Sequence, residues 1–305
     1  MSTGVSVAPG EHPWVRNSLE SAGVTVVPLG HQTRGLVWMG AHNPEGLAAA
    51  LREAPAVEWV QLPSAGSDDF AGAGLLDSRI TWTSAKGAYS RPVAEHALTL
   101  ALALLRRIPE RARATEWGEP LGTSLYNRRV VIVGAGGIAQ ELIRLLAPFE
   151  TTITVVRRRN EPLVGATRTM TVDALDDALR EADVLIIAAA LTPTTDALIS
   201  HHQLALLPRT AILVNIARGG LVDVDALTTA LRNESIAGAA LDVTNPEPLP
   251  AQHPLWAMPN ALITPHTADT WEMIQPLLAE RIVANARHFV AGEAFEGTVD
   301  PALGY

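Results

Sequence analysis

The sequence predicts an α/β fold with a doubly wound parallel sheet and a second, smaller α/β unit. Strand and helix signals alternate along most of the 305 residues, which is typical of parallel sheets covered by helices. The strand signals, such as residues 130–133, are short β-branched runs without the alternation of a half-exposed strand. A glycine turn directly follows that run, and it indicates which of the two units binds a ligand.

The glycine turn has the sequence GAGGIA at residues 134–139. Gly134 permits the bend, Gly136 lets the backbone approach a pyrophosphate, and the small Ala139 lets the following helix pack on the strand. The N–H groups at the start of that helix, at Gly137 and Ile138, would hold the phosphates together with the helix dipole. A second strand follows about twenty residues later, as the dinucleotide motif requires. We therefore predict a Rossmann domain.

The end of that second strand carries Arg157, Arg158 and Arg159. A site selective for NAD places an acidic side chain here to bind the ribose 2′-OH. Guanidinium groups pair with phosphate instead, so the sequence predicts NADP(H) as the preferred cofactor, with NAD(H) as the second option. The alternative is that the three arginines form only a solvated strand end.

Composition narrows the class of protein. A length of 305 residues suggests about two domains, and 48% hydrophobic with 18% charged residues is ordinary for a globular enzyme. The net charge of −9 argues against nucleic acid as a partner. The sequence has no cysteine, which excludes disulfides, thiolate zinc sites and cysteine nucleophiles. We expect no signal peptide, no membrane span and a cytoplasmic location.

The first ninety or so residues predict the smaller unit. We expect strands at 23–28, 36–39, 57–62 and 80–83, and a helix capped by Asn43 with Pro44 in its first turn.

The remainder predicts the larger unit and a final helix. A long helix opens at 90–96, and after the glycine turn we expect strands at 184–188, 212–214, 238–241 and 261–263 and helices at 201–206 and 223–232. A last helix at 274–290 lies beyond the final strand and is expected to return to the smaller unit.

Three ionisable residues each fall just past a predicted strand: Arg218, Glu247 and His266. Open α/β sheets bind ligands at this carboxyl edge. Reduction of a 2-keto acid needs a cation for the carboxylate, a proton donor that titrates near neutrality, and a carboxylate that orients this donor. Taken singly, each residue has another interpretation: a surface cation, a turn residue and a buried histidine satisfied by backbone.

These residues lie in motifs that resemble the D-isomer-specific 2-hydroxyacid dehydrogenase family over nearly the whole chain. The matching segments are SAG at 64–66, VAEH at 93–96, GAGGIA at 134–139, LTPTT at 191–195, NIARGGLVD at 215–223, ALDVTNPEPL at 240–249 and TPH at 264–266. Arg157 stands where the family usually has an acidic residue. In this respect the chain resembles the NADPH-preferring branch that reduces glyoxylate and hydroxypyruvate.

The resemblance implies roles for these residues. Arg218 binds and polarises the keto acid, His266 is the acid/base, and Glu247 is its partner. Other residues implied in the site are Ala65 and Gly66, whose N–H groups hold the substrate carboxylate, and Thr192, Ala217 and Asp242, which lie near the cofactor. His96 is expected to be structural. Asp269 stands where the family usually has a small residue, and its effect is left open.

The resemblance also implies the organisation of the chain. A flavodoxin-like substrate domain is expected at 1–88 and 270–305, and a dinucleotide-binding domain at 89–269. A cleft between the two domains is expected to close on a hinge. The protein is expected to form a homodimer through the VAEH helix.

One rival function stays open, a binding protein that senses NADP(H) on the same scaffold with little turnover. A short-chain dehydrogenase is rejected because no tyrosine has a lysine four residues on, and the histidines lack HExxH spacing, so no metal site is expected. Several large side chains, namely Trp38, Met39, His42, Tyr89 and Trp271, fit either a substrate pocket or the core.

Overall fold

The computed structural model describes residues 4–302, which form two compact α/β units. The strands are β1 (Gly4–Ala8), β2 (Thr33–Trp38), β3 (Trp59–Gln61), β4 (Thr81–Thr83), β5 (Arg129–Val133), β6 (Thr152–Arg157), β7 (Arg168–Thr171), β8 (Val184–Ile187), β9 (Ile212–Asn215), β10 (Gly238–Leu241) and β11 (Ala261–Ile263). The α-helices are α1 (Pro13–Ser21), α2 (Pro44–Glu53), α3 (Asp68–Gly72), α4 (Ser90–Leu105), α5 (Ile108–Ala112), α6 (Gly137–Leu146), α7 (Leu175–Arg180), α8 (His201–Leu206), α9 (Val224–Arg232) and α10 (Trp271–Ala291).

The larger unit, Ser90–Asp269, is built on a parallel sheet. Its described strands have the order β11-β10-β9-β8-β5-β6-β7. The order reverses between β5 and β8, and ligands of doubly wound sheets bind at such a switch point, beside the carboxyl ends of the strands. The β-branched side chains of β5 and β8 are buried, which explains why these strands read as continuous apolar runs.

The smaller unit joins the described residues up to Tyr89 with those from Thr270 onward. Its parallel sheet has the order β1-β2-β3-β4 within the described part of the chain. Helix α10 packs on α1, where the rings of Trp14 and Trp271 meet edge to face at 5.7 Å. Asn43 caps α2 as expected, because its side chain accepts a hydrogen bond from the Gly46 N–H at 2.9 Å.

The expected strand at residues 23–28 is wrong in extent. Only Val26 forms a bridge, to Val5 of β1, supported by hydrogen bonds from Val5 N to Thr25 O and from Val27 N to Val5 O. Gly23 has φ +81° and Pro28 lacks an N–H, so neither end can extend the ladder. The segment nevertheless lies beside β1, where the second strand of a flavodoxin-like sheet would stand.

Several elements were not expected from the sequence. They are β1 and α1 at the start of the chain, the short helices α3 and α5, and β7 and α7 between the glycine turn and β8. The other expected strands and helices are present, with ends that differ by a few residues.

The chain passes between the two units at 89/90, one residue from the 88/89 boundary that we expected, and at 269/270, the same position as in the expected division. The domain roles assigned to them stay predictions. The expected smaller domain also includes residues 1–3 and 303–305, which lie outside the described part. No helix between residues 4 and 302 is both long and apolar enough to cross a bilayer.

Two glycines of the turn after β5 make a matched pair of variants. A Cβ on Gly134, which has φ +114°, would lie 2.4 Å from the Ala188 carbonyl oxygen, whereas a Cβ on Gly136 would meet nothing within 4 Å. We expect Gly134→Ala to lower the free energy of unfolding by roughly 2–4 kcal/mol, since strain and backbone overlap add. Gly136→Ala should change it by less than about 1 kcal/mol. Urea unfolding of both variants checks this, and equal losses would contradict it.

Candidate active site

The turn between β5 and α6 presents backbone donors at the carboxyl edge of the sheet. Gly136 is the N-cap of α6 and makes no side-chain cap hydrogen bond, so the first N–H groups of the helix, at Gly137 and Ile138, are not capped by that residue. The open space at Gly136 is the space that a Cβ would fill. N–H groups that the N-cap residue leaves without a side-chain partner, beside a glycine cradle, suit a pyrophosphate. The residues present therefore fit a dinucleotide.

Arg157 lies beside this turn. It ends β6, directly after Val156, whose carbonyl oxygen accepts a hydrogen bond from Gly134 N at 2.8 Å. Its guanidinium is engaged by Glu161, with Nη2 3.4 Å from Oε2 and Nη1 3.3 Å from the backbone oxygen. Arg158 and Arg159 follow in an exposed bend. The position at the end of the second strand is the one that recognises the adenosine ribose in dinucleotide folds.

Thr192 opens a compact turn after β8. Its N–H donates to Oγ1 of Thr195 at 2.8 Å, and its hydroxyl lies 3.1 Å from that of Thr194. The turn follows the strand next to β5 in the sheet. Thr192 is thus at the same sheet edge as the glycine turn.

Arg218 stands on a loop that Asn215 shapes. Asn215 is fully buried at the end of β9, where its amide donates to the Arg218 carbonyl at 2.9 Å and accepts from Ala217 N at 3.1 Å. The Arg218 guanidinium donates to the Ala217 carbonyl at 2.8 Å through Nη1. The next residue, Gly219, passes so close to Thr244 that a Cβ there would lie 1.9 Å from the Thr244 carbonyl oxygen. This contact brings the loop of Arg218 against the segment that leads to Glu247.

His266 and Glu247 form a direct pair. Nδ1 of His266 lies 2.7 Å from Oε1 of Glu247, and both side chains are partly exposed. Because an ionised carboxylate only accepts, Nδ1 carries the proton of this hydrogen bond, and Nε2 is the ring nitrogen that does not contact Glu247. His266 has φ +49°, a conformation uncommon for a residue with a side chain. The surrounding structure must therefore hold this backbone in place.

The carboxylate of Asp242 holds the loop that carries His266. Asp242 follows β10 and is almost completely buried. Its Oδ1 accepts from the Thr264 hydroxyl at 2.6 Å and from Thr267 N at 2.9 Å, and its Oδ2 accepts from Ala268 N at 3.1 Å. The His266 N–H donates to the Asp242 backbone carbonyl at 2.8 Å. The left-handed backbone of His266 is thus fixed from both sides.

The electrostatics of Asp242 follow from these contacts. Burial by itself would raise the pKa of the carboxyl group, but hydrogen bonds from His96, Thr264 and the amides of Thr267 and Ala268 outweigh it and lower the pKa to about 2. Asp242 is therefore ionised at neutral pH, with four donors around it.

Asp269 is a second carboxyl group at this site. Burial raises its pKa above the usual value, while His266 and Arg218 attract its charge and Asp242 repels it. Arg218 and His266 thus both lie within electrostatic range of the Asp269 carboxyl group.

The residues expected to bind substrate from the smaller unit lie in its turn after β3. The carbonyl oxygens of Ala65 and Gly66 accept hydrogen bonds from the hydroxyls of Ser84 at 3.2 Å and Ser64 at 2.7 Å. Of the large side chains with two interpretations, Trp38 and Tyr89 are buried and donate to Gly40 and Pro63 carbonyls, whereas Trp271 is half exposed.

No set of three His, Asp or Glu side chains in residues 4–302 is arranged to hold a metal ion.

A nicotinamide-dinucleotide-dependent oxidoreductase is the class of protein that this fold and site define, and comparison with known proteins makes the class specific. Residues 98–268, more than half of the chain, match the family model for the NAD-binding domain of D-isomer-specific 2-hydroxyacid dehydrogenases. The chain belongs to this family and is an NAD(P)-dependent oxidoreductase.

Individual relatives agree with the family. The chain is 33% identical to a glyoxylate reductase of Aeropyrum pernix over 78% of its own length and 76% of that protein. It is 30% identical to glyoxylate/hydroxypyruvate reductase B of Serratia proteamaculans over 97% and 90% of the two chains. A D-isomer-specific 2-hydroxyacid dehydrogenase of Xanthobacter autotrophicus, solved with NADPH and MES, has a TM-score of 0.86 and 29% identity, with 100% of both chains covered.

Sequence reasoning did not find the role of Asp242 as the anchor of the His266 loop or of Asn215 as the shaper of the Arg218 loop. Both are polar residues that lie at strand ends and within a motif, and this position is the one feature of the sequence that could have pointed to them. It cannot reveal which backbone groups such a side chain binds.

The ionised form of Asp242 should stabilise the protein in a defined pH range. The folded pKa of about 2 lies below the ordinary 3.8, so the contribution is full above about pH 4 and is lost as the pH falls toward 2. The difference corresponds to about 2 kcal/mol. We expect Asp242→Asn to lower the unfolding free energy by at least that much at pH 6 and by less at pH 3. Urea unfolding at both pH values measures this.

The control for this experiment is Asp177→Asn, in the exposed first turn of α7. It should change stability by less than about 0.5 kcal/mol. A loss for Asp242→Asn that is independent of pH would contradict the assignment of the charge.

Proposed function

We propose that the protein reduces a small 2-keto acid to the D-2-hydroxy acid with NADPH. The observation that carries the proposal is the His266–Glu247 pair at 2.7 Å, on a loop fixed by Asp242. The reductase names of the relatives support glyoxylate and hydroxypyruvate as the substrate class.

Each residue has a defined task in the reaction. Arg218 binds the 2-keto acid and polarises its carbonyl, and the N–H groups of Ala65 and Gly66 hold its carboxylate. The bound cofactor supplies a hydride to the carbonyl carbon. His266 donates the proton from Nε2 to the carbonyl oxygen, which becomes the hydroxyl group. Glu247 keeps the ring in place through Nδ1 and stabilises its positive charge before the transfer.

The cofactor is held by the groups at the switch point of the larger sheet. The N–H groups of Gly137 and Ile138 bind the pyrophosphate, and the guanidinium groups of Arg157, Arg158 and Arg159 bind the 2′-phosphate. Thr192, the Ala217 carbonyl and Asp242 border the nicotinamide half. NADPH is preferred, and NADH binds without the phosphate contacts. The NADPH-bound structure of the Xanthobacter relative supports this preference.

We further propose that the protein is a cytoplasmic homodimer. The support for the dimer is the family resemblance of α4 together with the exposed apolar side chains that follow it. Trp117 is 95% exposed and Leu121 49% exposed, in a segment without regular structure between α5 and β5. Apolar groups this exposed favour contact with another chain.

The first test concerns the proton donor. His266→Gln should lower kcat for glyoxylate and hydroxypyruvate by roughly 10²–10⁴, the usual contribution of a positioned acid, with little change in NADPH affinity. NADPH oxidation and fluorescence titration measure these two quantities.

The chain offers a matched control in His202, whose Nε2 also lies 2.7 Å from a carboxylate oxygen, that of Asp176. His202→Gln should leave kcat unchanged. A wild-type kcat in His266→Gln would remove this residue from the mechanism. If the unaltered protein binds NADPH tightly but reduces no 2-keto acid, including bulkier ones, the protein is an NADP(H) sensor.

The second test concerns cofactor choice. Reversing charge in Arg157→Glu with Arg158→Glu should raise the KM for NADPH at least tenfold more than the KM for NADH, because only NADPH carries the phosphate. Arg168→Glu is the control. Arg168 is similarly paired, with Glu181 at 3.9 Å, but begins β7 at the opposite edge of the sheet. Steady-state kinetics with both cofactors decide, and equal effects on the two KM values would refute the assignment.

A further inference from the structure

His96 lies on the first turns of α4 and reaches the anchor of the His266 loop. Its Nε2 is 3.1 Å from the Thr264 hydroxyl and 3.3 Å from Oδ1 of Asp242. The His96 side chain is 20% exposed and that of Asp242 1%. All three residues belong to the larger unit, although His96 and Thr264 are separated by 168 positions in the sequence.

The direction of the hydrogen bonds in this group follows from what each atom can donate. Asp242 is ionised and only accepts, and the Thr264 hydroxyl lies 2.6 Å from its Oδ1. That hydroxyl has one proton, and it uses this proton to donate a hydrogen bond to Asp242. In its contact with His96 the hydroxyl oxygen must therefore be the acceptor. Nε2 of His96 therefore carries a proton. In this chain of donors His96 faces both Thr264 and Oδ1 of Asp242, and Thr264 in turn donates to the same oxygen.

The Asp242 carboxylate connects this hydrogen-bond group to the loop that carries His266. Oδ1 of Asp242, which accepts the hydrogen bond from the Thr264 hydroxyl, also accepts one from Thr267 N at 2.9 Å. Oδ2 accepts a hydrogen bond from Ala268 N at 3.1 Å. Thr264, Thr267 and Ala268 flank His266, whose φ of +49° requires support from its neighbours. A rotation of the Asp242 carboxylate would release both amides.

We propose that His96 is a positioning residue, which fixes Thr264 and the Asp242 carboxylate by donation from Nε2 and thereby holds His266 in its left-handed conformation. This role is not a catalytic one, so it is compatible with the expectation that His96 is structural, and it specifies what the side chain holds in place. The consequence for turnover rests on the proposed reductase function, whereas the consequence for the loop does not.

The experiment compares His96→Gln with His96→Leu. A glutamine places an amide N–H where His96 has Nε2, while leucine keeps bulk without a donor. Hydrogen exchange of the protein without substrate is measured by mass spectrometry on peptides covering residues 264–269, with β5 as the reference. We expect exchange at Thr267 and Ala268 to speed up at least tenfold in His96→Leu, to stay near wild type in His96→Gln, and not to change in β5.

Kinetics supply the second readout. In His96→Leu, kcat for glyoxylate should fall by roughly ten- to a hundredfold, as is usual when a group that orients a reacting residue is removed, while the KM for glyoxylate changes less than about threefold. His96→Gln should recover most of kcat. His202→Leu, at the paired histidine on α8, is the control and should match the wild type.

A double-mutant cycle tests the chain of donors. Because Nε2 of His96 contacts both Thr264 and Oδ1 of Asp242, the loss in the variant with both His96→Leu and Thr264→Val should be smaller than the sum of the two single losses. Additive effects, a glutamine variant as impaired as leucine, or unchanged exchange in His96→Leu would each overturn the proposal. If the unaltered protein reduces no 2-keto acid but exchange still depends on the donor at position 96, the reductase function fails and the positioning of the loop stands.

Discussion

The buried charge of Asp242 is the constraint on which the rest of the site depends. A carboxylate in this environment is tolerated only when donors surround it, and Asp242, which follows β10, finds its donors in the turn after β11 and in α4. Satisfying one charge therefore fixes the relative positions of three segments. His266 lies within the segment that is fixed most tightly, so its unusual backbone is a consequence of the hydrogen bonds that Asp242 collects.

The second constraint is steric and lies between two neighbouring loops. Gly219 approaches the Thr244 backbone so closely that no side chain fits between them. This contact joins the loop after β9 to the loop after β10, and these loops carry Arg218 and Glu247. In a parallel sheet the two loops emerge at the same edge, but the strand spacing alone leaves their tips free to diverge. Gly219 limits this divergence, because the Thr244 backbone occupies the space that a side chain at position 219 would fill.

Much of the larger unit could be predicted because its buried strands are continuous apolar runs and its turn residues have narrow conformational requirements. The sequence also singles out Arg218, Glu247 and His266, since each follows a strand and lies in a recognisable motif; the 2.7 Å contact of His266 with Glu247 is present, and the roles of the three residues stay predictions. The short edge strand β7, with Arg168 and three partly buried residues, carries no such run, and the strand expected at 23–28 is cut short by Gly23 and Pro28. The contacts of His96 with Thr264 and Asp242 were not predictable, because pairs this far apart in sequence become neighbours only through the fold.

The ion pair between Arg157 and Glu161 has a consequence for how the enzyme discriminates between nucleotides. The guanidinium already has an anionic partner from its own chain, at 3.4 Å. If Arg157 binds the 2′-phosphate as proposed, that phosphate must displace or share Glu161, and the selectivity then depends on two anions competing for one cation. Such an exchange is tuned by the strength of the resident carboxylate as much as by the number of arginines, and a single neutral amide at position 161 would shift the balance without any new contact.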